Sequence, residues 1–247
     1  MATNKLSAKN AIILINGYNF STYFSSFDIE NSVNPIDVTG FGDATQNKIP
    51  SILSGKISGS VFWDSAAAKT HLALKSRPTG HVTIIPEGYT LGNASISLPF
   101  MQGNYSPKGS PDSALEIGTL DFESYGGNSA NAGVETGVAL AHGTITATTT
   151  GTGFDDPTAG AVTAACSGTL HIWTATSTDT YVVKIQHSTV LGSGYADLIT
   201  FTANGTSITS ERVAVASGTI NRYRRILATR TGAGAQSFGF SVHFQHQ

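Results

Sequence analysis

The sequence predicts a mainly β chain, in two β modules with one short helix, on three observations. Apolar and polar residues alternate with period two along many segments, the pattern that sets successive side chains on opposite faces of a strand. Charged residues make up only 12% of the 247, against about 25% in an ordinary soluble protein. Glycine, proline and asparagine break the chain at short intervals, as turns between strands require.

In order, the first strand is expected over 11–15 and the next over 27–30. A third contains Ile57, Val61 and Trp63 on one face with Gly59 between them. The region 65–76 reads as the one helix: Asp64 or Ser65 can cap its first turn, and its alanines favour helix. Lys75 and Arg77 suit its negative end, and Pro78 and Gly80 stop it. Strands follow over 81–85, over 95–100, where Ile96, Leu98 and Phe100 alternate with Ser95, Ser97 and Pro99, and over 115–122. Later candidates are 143–149, 168–176, 181–187 and 197–203. The clearest comes last: Phe238, Phe240, Val242 and Phe244 alternate with Ser237, Gly239, Ser241 and His243, so one face must be buried.

Three stretches lack periodicity. Residues 31–55 read as a long polar loop carrying Pro35 and Pro50, and long loops within compact domains are usually functional or disordered. Residues 101–113 are rich in Gly, Ser and Pro. Residues 124–134 have the composition of a flexible linker, which divides the chain into modules 1–133 and 134–247. The spacing of turns in the second module is that of a β-sandwich or jelly roll.

Composition excludes several functions. With 40% hydrophobic residues and a net charge of −2 the chain should fold, and a near-neutral balance removes the general attraction on which nucleic-acid binding rests. Residues 1–138 carry 8 basic against 11 acidic groups, the remainder 6 against 5. The single cysteine, Cys166, cannot form an internal disulfide and reads as a buried, inert thiol. The polar N-terminus and the short apolar run 11–15 offer neither a signal peptide nor a membrane span, so synthesis in the cytoplasm is expected.

No catalytic, metal or cofactor motif emerges. The seven histidines are scattered, without HExxH or CxxC spacing. Gly192, Ser193 and Gly194 make a turn, not a nucleophile elbow. Asp155 and Asp156 read as a solvated turn in preference to a calcium site. Around Tyr223, Arg222 and Arg224 share one strand face and form a candidate polar contact patch, with a solvated strand as the simpler reading.

The first module resembles the tail tube (major tail) proteins of long-tailed bacteriophages. The residues that carry this are the strand 11–15, then Asp37-Val38-Thr39-Gly40-Phe41-Gly42-Asp43, Lys48-Ile49-Pro50, Leu53-Ser54-Gly55 and Val61-Phe62-Trp63-Asp64. Pro50-Ser51-Ile52 departs from the family pattern, where glycine usually follows the proline. The second module resembles one appended to such phage proteins, through His171-Ile172-Trp173-Thr174, the run 182–188, the run 195–201 and Asn221-Arg222-Tyr223-Arg224-Arg225. The resemblance implies a tail-tube-like β-sandwich or barrel followed by a jelly-roll-like sandwich. It further implies a non-enzymatic virion subunit, without cofactor or membrane partner, that forms hexameric rings. Stacked rings would make a conduit for passing DNA and would meet terminator, tape measure and distal tail proteins. Within 31–55, Thr39, Phe41, Gly42, Ile49, Pro50 and Leu53 are the candidate subunit or ring contacts, being apolar anchors among polar residues. Another virion role, as minor tail, head decoration or glycan-binding adhesin, stays open; exposed Trp173 or Tyr195 would favour the last.

Overall fold

The computed structural model describes residues 8–125, 133–156, 162–175, 179–232, 234 and 237–246. Among these the chain is mainly β. The first half holds β1 (Ile12–Ile15), β2 (Tyr18–Asn19), β3 (Phe24–Asp37), β4 (Lys48–Phe62), α1 (Thr70–Leu74), β5 (Thr79–Ile85), β6 (Ala94–Lys108) and β7 (Glu116–Ser124). The second half holds β8 (Glu135–Ile145), β9 (Thr149–Thr150), β10 (Phe154–Asp155), β11 (Val162–Ala175), β12 (Thr180–Ser188), β13 (Ala196–Thr200), β14 (Thr209–Ile220), β15 (Tyr223–Thr231) and β16 (Phe238–His246).

Eleven of these strands form one antiparallel sheet. Its main path is β14-β11-β16-β8-β6-β5-β1-β2, and a branch leaves β6 through β7 and β4 to β3. The other five form a second sheet, in which β15 and β12 are central. Two apolar clusters follow. One gathers Ile13, Ile57, Val61, Leu98, Phe100, Leu120 and Phe122 between the branches of the first half. The other packs Leu170, Ile172, Phe238, Phe240 and Phe244 against Tyr181, Val183, Ile185 and Ile226, closing a sandwich in the second half. Pairing of β6 with β8, from Ala94↔Val138 to Ser97↔Glu135, carries the large sheet from one half into the other. The expected linker falls mostly on 126–132, outside the described residues.

Several expectations need correction. The stretch 31–55 is no loop but the outer part of a β-hairpin, paired from Phe24↔Val61 to Asp37↔Lys48. Backbone hydrogen bonds hold such a ladder whatever the side chains, and where neither face is packed no apolar alternation is needed to specify it. The same reason extends β6 to Lys108, through residues 101–113 that read as aperiodic. The helix is only five residues long. Asp64 accepts the Ala66 N–H at 2.9 Å in a turn of its own, and Ala68 has φ +61°, which interrupts helical geometry. The strand expected over 143–149 is the corner where the chain leaves β8 and enters the second sheet at β9. Lastly, β16 is buried on both faces: Ser241, His243 and Gln245 are buried as well as the phenylalanines, with His243 set against Ser95 of the first half and Ser241 donating to Ala141 O.

Candidate assembly surface

Strands β3, β4, β7 and β6 lie side by side, each antiparallel to the next. One face covers the first apolar cluster. The other is polar: Glu30, Lys56 and Glu123 stand across from one another, as do Asp28, Ser58 and Asp121. Lys56 meets Asp121 at 3.1 Å and Lys108 meets Glu116 at 4.0 Å, so five carboxylates stand against two lysines on that face. Among the described residues both ends of this four-stranded unit are open: β3 pairs with β4 alone, and β6 loses its β5 partner after Met101, so 104–108 pair on one side only, with β7. An unpaired strand edge presents backbone N–H and C=O groups to a further chain.

Among the described residues the hairpin runs on beyond β7 without a further strand partner, with Val33, Ile36, Val38 and Ile49 each close to half exposed and Phe41 fully exposed. Its tip is held in shape from within. Asp37 accepts the Thr39 N–H at 2.9 Å, and Asp43 accepts the Gly40 N–H at 2.8 Å and an Asn47 side-chain N–H at 2.9 Å. The Asn47 N–H donates to Thr39 Oγ1 at 3.0 Å. The two Thr39 donors keep the Asp37 carboxyl below its usual range. Of the candidate contacts, Phe41, Gly42 and Ile49 are exposed, while Thr39 is exposed but spends its hydroxyl on the tip. The side chains of Pro50 and Leu53 lie outside the described residues.

The proposed arginine patch does not form. Arg222 is about half exposed and is bound by Asp155, at 2.5 Å from Nε and 2.9 Å from Nη2. Arg224 is fully buried, paired with Asp156 and packed 4.9 Å from the Phe244 ring centroid and 5.8 Å from that of Phe154. Arg225 lies over Tyr195 at 3.9 Å. Asp155 and Asp156 are therefore arginine partners, not a solvated turn. The two acids and their arginines stand 67 and 68 residues apart, so no local pattern pairs them. For the glycan reading, Tyr195 is covered by Arg225, and Trp173 lies 4.6 Å from the His142 ring, half-buried; neither is an open platform.

A polar seam that the sequence did not reveal joins the halves. Gly17 N–H donates to His171 Nδ1 at 3.2 Å, which leaves Nε2 to donate to Thr83 Oγ1 at 2.9 Å. Thr83 donates in turn to Ser97 at 3.1 Å. Ser95 Oγ meets His243 Nδ1 at 2.5 Å, and Arg212 grips the buried Glu135 through Nε at 3.0 and 3.1 Å. His81 Nδ1 lies 3.2 Å from Ser210 Oγ. Burial, then the Arg212 charge, pulls His81 down to about 4 and His243 to about 3. His171 is also held well below the ordinary range, by burial first and by its two neighbouring histidines next. All three are thus neutral at pH 7. Among the described residues no group of three or more His, Cys, Asp or Glu could hold a metal, and no helix is long and apolar enough to cross a membrane.

No family model and no curated protein matches the chain. Among solved structures it is similar to a chain from the virion of a native gene transfer agent particle, at 17% identity over 51% of this chain and 95% of that one, with a TM-score of 0.39. A chain from the tail of an empty gene transfer agent particle, of C6 symmetry, gives 17% identity, 51% and 96% coverage and 0.39. The crystal structure of the Dit protein of phage SPP1, titled a paradigm of the hub adsorption apparatus, gives 10% identity, 96% and 99% coverage and 0.36. At these identities and scores the functional reading rests on the sequence resemblance and the sheet geometry.

Proposed function

We propose that the chain is a structural, non-enzymatic virion protein that closes into rings by edge-to-edge pairing of its four-stranded unit, as a tail tube protein does. The observation that carries this is the pair of free edges. Strand directions alternate from β3 to β6, so β3 of one copy laid against 104–108 of the next continues the antiparallel order. A contact between two different surfaces closes into a ring when its rotation closes, and a closed ring removes both edges. Six copies is the number the resemblance implies. The polar face with its excess of carboxylates would then line the channel, where like charge keeps DNA from adhering. Terminator, tape measure and distal tail proteins are the further partners of this reading, and the virion tail is its location.

Negative-stain electron microscopy of the purified chain, concentrated over a range of salt, tests it. Rings or hollow tubes with a central channel are expected; a discrete monomer or trimer under all conditions refutes self-assembly. The division of labour between modules belongs to the same proposal. The first apolar cluster draws its buried residues from 13–122 alone, and Thr83, Ser95 and Ser97 are among the groups the first half buries toward the second. A chain cut after Gly133 is therefore expected to form rings, and loss of assembly by a folded fragment refutes the division.

A further inference from the structure

A pocket of about 260 Å³ opens where the turn between β5 and β6 meets the second half. Its apolar part comes from Leu91 of that turn, Leu140 of β8, Ile226 of β15 and Phe240 of β16, the last three buried. Thr144 and Thr152 stand exposed at its rim, with Thr149 half-buried beside them. Gly143 leaves the wall bare, since a Cβ there would meet nothing within 4 Å. Tyr89 and His142 complete the lining. The Tyr89 hydroxyl donates to Leu140 O at 3.3 Å. Its ring centroid lies 5.9 Å from that of His142, which lies 4.6 Å from that of Trp173, so three rings stand in a row at the pocket. None of the described lining residues is Asp, Glu, Lys or Arg, and burial holds His142 below its ordinary value, so that it is neutral at pH 7. Its Nδ1 is buried and has no hydrogen-bond partner among the described residues, an arrangement that costs stability until some group pairs with it.

We infer that this pocket binds one ring of a neutral sugar, a hexose or N-acetylhexosamine unit. Size sets the first limit. A dry cavity of about 150 Å³ holds a benzene ring, so 260 Å³ takes one substituted six-membered ring and is too small for a partner's strand or helix. Charge sets the second: a phosphate, carboxylate or ammonium group would lose its water here with no opposite charge on the described lining to offset the loss. The third is the His142 nitrogen, which a wholly apolar ring would leave unpaired. A pyranose meets all three. Its C–H faces are apolar and can rest on Leu91, Phe240 and the Tyr89 ring, while the hydroxyls around its edge reach His142 Nδ1 and the rim threonines. Aromatic side chains with a polar tip suit such two-sided contacts. No lining residue belongs to β3, β4, β6 or β7, so the edges proposed for ring closure take no part in the site. The inference goes beyond the assembly reading and does not depend on it.

Saturation-transfer nuclear magnetic resonance on the full chain, monomeric or assembled, tests it. The probes are glucose, galactose and N-acetylglucosamine, with glucuronic acid and glucosamine as charged counterparts and toluene as the apolar ring. At least one neutral sugar is expected to receive signal from the protein with a millimolar Kd, and its charged counterparts to bind roughly tenfold more weakly. His142→Phe keeps a ring between Tyr89 and Trp173 but removes both nitrogens; it is expected to weaken sugar binding roughly tenfold and to change toluene binding little. Thr152→Trp, at an exposed rim position, is expected to block sugar and toluene alike with the circular dichroism unchanged, and it carries the test if His142→Phe fails to fold. No transfer to any of the three neutral sugars at tens of millimolar would overturn the inference. So would full-strength sugar binding by a folded His142→Phe or Thr152→Trp chain, or toluene bound in preference to every sugar. Rings without sugar binding would leave the assembly reading standing, and sugar binding by a chain that never forms rings would leave this one.

Discussion

Replacing His243 by glutamine is expected to remove part of the protein's acid sensitivity, by an amount the seam geometry sets. In the fold His243 is 1% exposed and stays neutral down to about pH 3; in the unfolded chain it takes a proton near pH 6.5. Below 6.5 the unfolded chain therefore binds a proton that the folded chain refuses, and stability falls as pH falls. It is intact above about 6.5, and the loss ends near the folded value of about 3. The slope is about 1.4 kcal/mol per pH unit for one histidine, so about 2 kcal/mol is lost between pH 6.5 and 5. His81 and His243 together would lose about 4 kcal/mol there, a large part of a domain's net stability, and His171 acts in the same direction. Arg212, the nearest fixed charge, opposes protonation, and Glu135 is already engaged by it. Glutamine keeps an amide near Ser95 but cannot titrate. Urea unfolding at a series of pH values between 7 and 4.5 measures the effect, and titration of the carboxylates, common to both proteins, cancels in the difference. A variant whose stability falls with pH as steeply as the parent's would refute the reasoning.

Three other outcomes follow from the packing. Arg212→Met leaves Glu135 buried without its partner and is expected to cost about 3–5 kcal/mol, read from urea midpoints at pH 7; a loss below 1 kcal/mol would show that water reaches Glu135. Gly17 has φ +85°, and a Cβ there would stand 2.5 Å from Thr209 O and 2.6 Å from Ile172 O. Gly17→Ala is therefore expected to destabilise by more than about 1 kcal/mol and to shift the nuclear magnetic resonance signals of the His171 ring, since the Gly17 N–H holds its tautomer. Cys166 is buried and its thiol is pushed up to about 11 by burial, so at pH 8 it should resist a thiol reagent in the native protein and react once the chain is unfolded; rapid native labelling would contradict its placement.

Much of the fold could be read from the sequence because local alternation is a local property. Phe238, Phe240, Val242 and Phe244 are buried side by side, as their spacing requires, and the single helix lies within the region expected for it, though cut short by Ala68. What alternation cannot report is a strand whose faces are both wet or both buried. The hairpin of β3 and β4 read as a loop because Val33, Ile36 and Ile49 of its outer part stay about half exposed, and β16 read as half-polar although Ser241, His243 and Gln245 are buried as the phenylalanines are. The prominence of Phe41 could be suspected from an apolar residue among polar ones; its full exposure at the end of a 14-residue strand could not. The seam and the arginine sites lay beyond sequence reasoning altogether. They join Gly17 to His171, Glu135 to Arg212 and Asp156 to Arg224, pairs brought together by the order of strands in the sheets. Residue type and spacing determine which side of a strand is greasy. Which strands become neighbours, and so which described edges stay unpaired, is decided only when the whole chain competes for the same core.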